Sequence, residues 1–457
     1  MVLRCILGSY FFESLYTSFI FKNSAIPKAA HMREDFLHYI WKFKKLQVQE
    51  LKASTNERVE IISEGTHNLL SGPDFFNAKI RIAEQLWAGN VELHVKSSDW
   101  YAHGHEKDDH YDNVILHVVW EDDVSIYRKD NSQIPALELK DYISPELLVA
   151  YQKLFTKKDK NFINCEKELA TMPPLIVRNW LDRLYFERLE DKSNIIVRLL
   201  QQSQNNWEQV LFNLLLRSFG SKVNADSFLS IAQGIHFSVV QKTRENVLQL
   251  EAIFYGLAGF LENEATDAYV IQLKKEYQFL KHKFSIRAAG VQKPNFFKLR
   301  PVNFPTIRLS QMANLYAIHQ QLFSKIVEAN TLEELYSIFD ISASRYWEDH
   351  FTFEKKARSS VKKVTKSFAD LLLINTILPL KFYYAQHIGK TIDLELVHII
   401  SKIKKEENRI IEGFSDVGLH LSNALESQAV LQLYNGYCTK NKCLQCTIGS
   451  SLLKENN

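Results

Sequence analysis

No run of apolar residues in this chain approaches the roughly 20 positions that a membrane-spanning helix requires, so no membrane partner is expected. An excess of one charge is also missing. Lysine and arginine number 56 against 53 aspartates and glutamates, a formal net charge of +3 over 457 residues. No global field draws such a chain to nucleic acid, and any binding of that kind must come from local patches. Cysteine is scarce. The five present are an odd number with most of them near one end, which is not the framework of a secreted disulfide protein. The chain has no fixed internal repeat and no low-complexity tract. Residues 1–31 are rich in Phe, Tyr, Leu and Ser, but Glu13 interrupts the apolar centre that a secretory signal would need. We read them as an extension ahead of a start at Met32, and expect a cytoplasmic protein.

What is present is the composition of a globular protein, 46% apolar and 24% charged, at a length that suggests two or three domains. From Arg33 to about Leu51 apolar residues recur at helical spacing. Strand-like pieces follow at 59–62, 76–82, 89–96, 114–120 and 124–128, separated by Asn, Gly, Pro or charged turns. From Pro174 the period is helical throughout, with segments such as 207–219, 247–261, 268–284, 309–327 and 332–338. These patterns predict an α+β protein. A mixed-sheet α/β domain spans 32–150, a linker 151–173, a larger all-helical region 174–437 and a cysteine-containing tail 438–457.

The stretch richest in chemistry is Val91-Glu92-Leu93-His94-Val95-Lys96. Strand side chains alternate between faces, so Glu92, His94 and Lys96 share one face and the apolar residues the other. Three titratable groups in a row on one face, with Asp74 upstream, suit a magnesium- or manganese-dependent phosphodiester hydrolase. The acids hold a hard cation, and the lysine orients water or stabilises developing charge. The competing reading is a solvated edge strand, with Pro73-Asp74 as a turn. His103, His105 and His110, with Asp108 and Asp109, form a loop just downstream. With His94, His103 and His105 could supply nitrogen ligands better suited to zinc or manganese, or the loop is simply rich in histidine. His117 repeats the pattern of a histidine inside an apolar strand. Glu64 and His67 could edge the same cleft, though a hydrogen-bonded turn explains them as well.

Pro73-Asp74, seventeen residues, then Glu92-x-His94 resembles the Pro-Asp…(Asp/Glu)-x-Lys signature of the restriction-endonuclease-like nucleases. That resemblance implies a nuclease-like α/β fold, with the aspartate on one strand, the acid on the next and a helix beside them. It further implies Mg or Mn held by Asp74 and Glu92, and a nucleic-acid substrate. His94 stands at the lysine position, with Lys96 two residues further on the same face, so either would assist the attacking water. A degenerate domain that only binds nucleic acid or protein is the alternative. Over Met32 to the C-terminus the chain also resembles an uncharacterised bacterial domain-of-unknown-function family, DUF2851. The residues carrying this are 35–42, 71–75, 87–94, 97–100, 111–119, Arg300-Pro301-Val302-Asn303-Phe304-Pro305 and Cys443-Leu444-Gln445-Cys446.

Cys438-x4-Cys443-x2-Cys446 has the spacing of a thiolate metal site, and Cys165 is the available fourth ligand. Zinc or an iron–sulfur cluster would fit, the latter resembling the staple of some RecB-like nucleases. Buried thiols without an ion are the plain alternative. The run Lys355 to Lys366 holds six basic residues and no acid, which either tracks phosphate or forms a solvated face.

Overall fold

The computed structural model of the chain describes residues 32–47, 50–68, 70–155 and 161–453. The expectation for residues 1–31 therefore lies outside the described residues. Those described divide into two compact units. The first runs to Val177 and resumes at Asn435, and the second runs from Arg178 to Tyr434.

The first unit opens with α1 (Glu34–Lys42), which buries Phe36, Leu37, Ile40 and Trp41 on one stripe. Glu34 and Asp35 lie in its first turn and Lys42 in its last, in the sense the helix dipole favours. It stops earlier than the periodicity predicts. Lys44 takes a left-handed φ of 50°, and the amides of Lys44 and Lys45 turn back onto the Trp41 and Ile40 carbonyls.

The strands are β1 (Val59–Ser63), β2 (Thr66–His67), β3 (Phe75–Ile82), β4 (Gln85–Lys96), β5 (Val114–Glu121), β6 (Ile126–Tyr127), β7 (Gln133–Ile134) and β8 (Ala136–Glu138). The main sheet has the order β1-β3-β4-β5-β8, with β2 paired to β3, while β6 and β7 form a separate hairpin. The pairs β1–β3 and β3–β4 are antiparallel, whereas β4–β5 and β5–β8 are parallel, so the sheet is mixed. Short α2 (Asp99–Ala102) follows β4, and α3 (Pro145–Phe155) follows β8.

Alternation along β4 sorts the two faces. Val91 and Leu93 enter the main apolar core with residues of α1 and α3, and Glu92 and His94 take the opposite face. That face has its own small core of Trp100, Tyr111, Val114, Ile126 and Ile134. Strand β5 is buried from Val114 to Trp120, as an interior strand with parallel neighbours on both sides should be.

The last described residues belong to this unit as well. Cys443, Leu444 and Leu453 join the main core, Arg33 donates to the Asn441 carbonyl at 3.1 Å, and Tyr39 reaches the Ser450 carbonyl at 3.5 Å.

The second unit is helical, from Pro174–Gln202 through Trp207–Phe219 to Ala424–Gln432. Asn206, Asp267, Asn408 and Asn423 accept backbone amides as N-caps, and Thr331 with Glu334 makes a capping box. One small hairpin, His350–Thr352 with Lys355–Lys356, interrupts the helices. The region expected to be wholly helical is therefore helical with a two-stranded insert.

Candidate metal centre

Asp74 precedes β3 directly, where Phe75 pairs with Val91 of β4. The loop ahead of it is wrapped around one side chain, Asn68, whose amide donates to the Ser71 and Pro73 carbonyls at 3.1 Å each. The Asn68 backbone N–H then donates to the Asp74 carbonyl at 2.7 Å. Asp74 and Glu92 exchange bonds across the strands. The Asp74 N–H donates to Glu92 Oε2 at 3.1 Å, and the Leu93 N–H donates to Asp74 Oδ2 at 2.9 Å. His38 on α1 places Nε2 3.2 Å from the same Asp74 oxygen.

Next along the strand, His94 is 1% exposed and Glu92 is 5% exposed. His94 Nδ1 lies 2.8 Å from His117 Nε2 on β5, and its Nε2 lies 3.0 Å from His103 Nδ1. Glu92 Oε1 stands 3.6 Å from His94 Nε2 and 3.5 Å from His105 Nε2. The ligand atoms of His94, His103 and His105 all lie within 4.8 Å of one another. Local backbone makes this possible. His103 ends α2, Gly104 adopts a left-handed φ of 75°, and His105 begins the next turn, so alternate residues of a His-x-His sequence reach one point. Tyr111 stacks on His105 with ring centroids 3.8 Å apart, and Trp100 packs edge-on against both His105 and His117. His103 is the exposed member of the trio.

Burial in this company moves the titrations a long way. Glu92 is pushed up to about 9, first by desolvation and then by the charge of Asp74. His94 is pushed down to about 2 by burial and by His117, His105 and His103, and His117 down to about 3, chiefly by burial. Both rings are neutral at ordinary pH, the form in which imidazole binds a metal. His38 is raised: burial opposes its charge, but the hydrogen bond and charge of Asp74 outweigh that.

Five of the residues expected at the site, Asp74, Glu92, His94, His103 and His105, gather here. Lys96 does not. It is partly exposed and lies 3.8 Å from both Glu121 and Asp123, past the end of the buried segment. Of the loop acids, Asp108 caps and pairs with His110 and Asp109 pairs with Lys129. Glu64 pairs with Lys44 at 2.9 Å, while His67 sits edge-on to His38 at 5.4 Å between centroids. His38 on α1, which meets Asp74, was missed as a site residue in the sequence. Its place on the polar side of an amphipathic helix was the available signal. The basic run is not one stripe. Lys362 is buried and donates to the Glu348 and Ser360 carbonyls, and Lys363 pairs with Asp340.

The class of molecule so defined is an α+β protein with a buried histidine and carboxylate cluster on the mixed sheet of its first unit. A family model described as a protein of unknown function, DUF2851, matches residues 34–409, and the chain belongs to that family. No curated protein and no solved structure matches it. Among the described residues no helix is long and apolar enough to cross a membrane.

Proposed function

We propose that this protein is a metal-dependent phosphodiesterase acting on nucleic acid, with the ion held by Glu92 Oε1, His94 Nε2, His103 Nδ1 and His105 Nε2. The observation that carries the reading is the spacing of these atoms. Tetrahedral ligands at about 2.0–2.1 Å from a zinc-like ion stand roughly 3.4 Å apart. Three of the six separations among them, 3.0, 3.5 and 3.6 Å, bracket that value, and the histidine trio by itself meets a mutual limit of 4.8 Å. The second-shell bond also fits. With Nε2 as the ligand, His94 Nδ1–H donates to His117, which fixes the ring.

The ion would polarise a phosphoryl oxygen and acidify water. Glu92 then gains the counter-charge that its burial beside Asp74 calls for. In this reading Asp74, oriented by the Leu93 N–H and backed by His38, would take the proton of the attacking water. Support for the substrate class comes from Asp74 directly ahead of β3 and Glu92 on the neighbouring antiparallel β4, with α1 beside them, close to the placement the nuclease resemblance implies. Nitrogen donors favour zinc or manganese over magnesium. One observation favours a binding module instead: the lysine position holds a neutral histidine, and Lys96 is engaged elsewhere.

The experiment is full-length protein with Mn²⁺, Zn²⁺ or Mg²⁺ and mixed DNA and RNA substrates. We expect cleavage with Mn²⁺ or Zn²⁺ above that with Mg²⁺, and a loss on the order of 100-fold in His103→Ala. Cleavage that survives Asp74→Ala with Glu92→Ala would overturn the site. Binding without cleavage under every metal would make the protein the binding module.

A further inference from the structure

Cys165, Cys438, Cys443 and Cys446 meet in the first unit, although the whole helical unit separates Cys165 from the others in sequence. Cys443 and Cys446 are buried, and Cys443 belongs to the main apolar core against which Cys165 packs. Cys438 ends a π-helical turn, Leu433–Cys438, a wide winding that proteins keep mostly at functional positions. Asn164, the neighbour of Cys165, donates from Nδ2 to Cys443 Sγ at 3.3 Å and to Asn441 Oδ1 at 3.1 Å. An amide aimed at sulfur favours the thiolate over the thiol and is one of the contacts that tune sulfur-ligated centres. The Asn441 carbonyl is in turn held by Arg33, so the loop carrying these thiols is fastened at the start of α1.

Spacing discriminates between the centres such thiols could hold. A single zinc at about 2.3 Å from each sulfur requires sulfurs roughly 3.8 Å apart. Among the described residues, the trio His94, His103 and His105 meets a mutual limit of 4.8 Å, and no three of the cysteine sulfurs do. The thiols are nonetheless near neighbours. Cys165 packs against the core that contains Cys443, and its neighbour Asn164 bonds the Cys443 sulfur directly. Two of these thiols are buried and two partly buried, and they do not form a group with the spacing of one ion, which suits a larger centre better.

We propose that Cys165, Cys438, Cys443 and Cys446 ligate an iron–sulfur cluster that fastens the C-terminal segment to the first unit. Each cysteine exchanges its thiol proton for a bond to iron of an inserted cluster, with no net change of oxidation state. Because the ligated state exists only in the folded chain, the cluster stabilises this unit. The proposal involves none of the residues of the phosphodiesterase reading and stands or falls apart from it.

The test is elemental analysis and visible absorption of the full-length protein purified without oxygen. We expect iron and acid-labile sulfide in equal amounts, little zinc, and a broad visible band that bleaches on reduction. Cys165→Ser and Cys443→Ser should each lose most of the iron and lower the melting temperature while keeping the helical circular-dichroism signal. A full complement of zinc without iron, a colourless metal-free protein, or iron fully retained by both variants would each overturn the proposal. If the variants fail to fold, the metal content of the unaltered protein decides by itself.

Discussion

Glu92 and His94 stand two residues apart on one strand and titrate in opposite senses. The Glu92 carboxyl, raised to about 9 from 4.5, keeps its proton in the folded protein while the unfolded chain loses it. Its contribution to stability is therefore lost as pH rises from about 4.5 to about 9. His94 and His117, lowered to about 2 and about 3 from 6.5, stay neutral while the unfolded chain takes up protons. Their contribution is present above about 6.5 and lost as pH falls towards 3. Between 4.5 and 6.5 the two histidines outnumber the one carboxyl. Metal-free protein should thus be most stable near pH 6.5, and denaturant titrations across pH will show it. Glu92→Gln should flatten the alkaline limb by up to about 1.4 kcal/mol per pH unit. An unchanged limb would mean that Glu92 is already ionised in the folded state. At this scale much of the site is legible in sequence. Strand alternation puts Glu92 and His94 on one face, and His-x-His offers a ligand pair. The contact of His38 with Asp74 is not legible, because it joins a helix to a strand that only the tertiary fold brings together.

The elements that aim these side chains depend on two glycines with different reasons. Gly104 holds a left-handed turn with open space around it, so Gly104→Ala should cost about 1 kcal/mol of backbone strain and swing His103 away from His105. Weakened Zn²⁺ binding with a nearly unchanged melting temperature is the expected result, read by calorimetric titration. Gly89 is a matter of space. A Cβ there would meet Ile115 Cγ2 at 2.4 Å and the Asn113 carbonyl at 2.7 Å, where β4 meets the start of β5. Gly89→Ala should cost about 1–3 kcal/mol in denaturant unfolding by forcing the two strands apart. A silent Gly89→Ala would contradict the observed approach of β4 to β5. The strands themselves follow from apolar alternation, and most helices from 3.6-residue spacing. Boundaries follow less well where tertiary bonds decide them. The helix read over 309–327 breaks after Ile318 because His319 turns extended and its Nε2 meets the Ile338 carbonyl at 3.0 Å.

Across the whole molecule, the change from period two to period 3.6 near Pro174 announced an α+β chain with a larger helical part. That its last described residues return to the first unit was foreseen only through the cysteines, since nothing in local periodicity reports a contact between chain ends. Metal-free and metal-loaded protein should differ in the same sense. One equivalent of Zn²⁺ should raise the melting temperature more at pH 8 than at pH 5.5, because at low pH a proton competes more strongly with the ion for the Glu92 carboxylate, which is raised to about 9. The central claim is that one ion sits among Glu92, His94, His103 and His105. The most direct test is an anomalous difference map from crystals of the protein grown with Zn²⁺ or Mn²⁺. The account predicts a peak about 2.0–2.2 Å from Glu92 Oε1, His94 Nε2, His103 Nδ1 and His105 Nε2. A map without density among those four atoms, in crystals that bind the ion elsewhere, would contradict it.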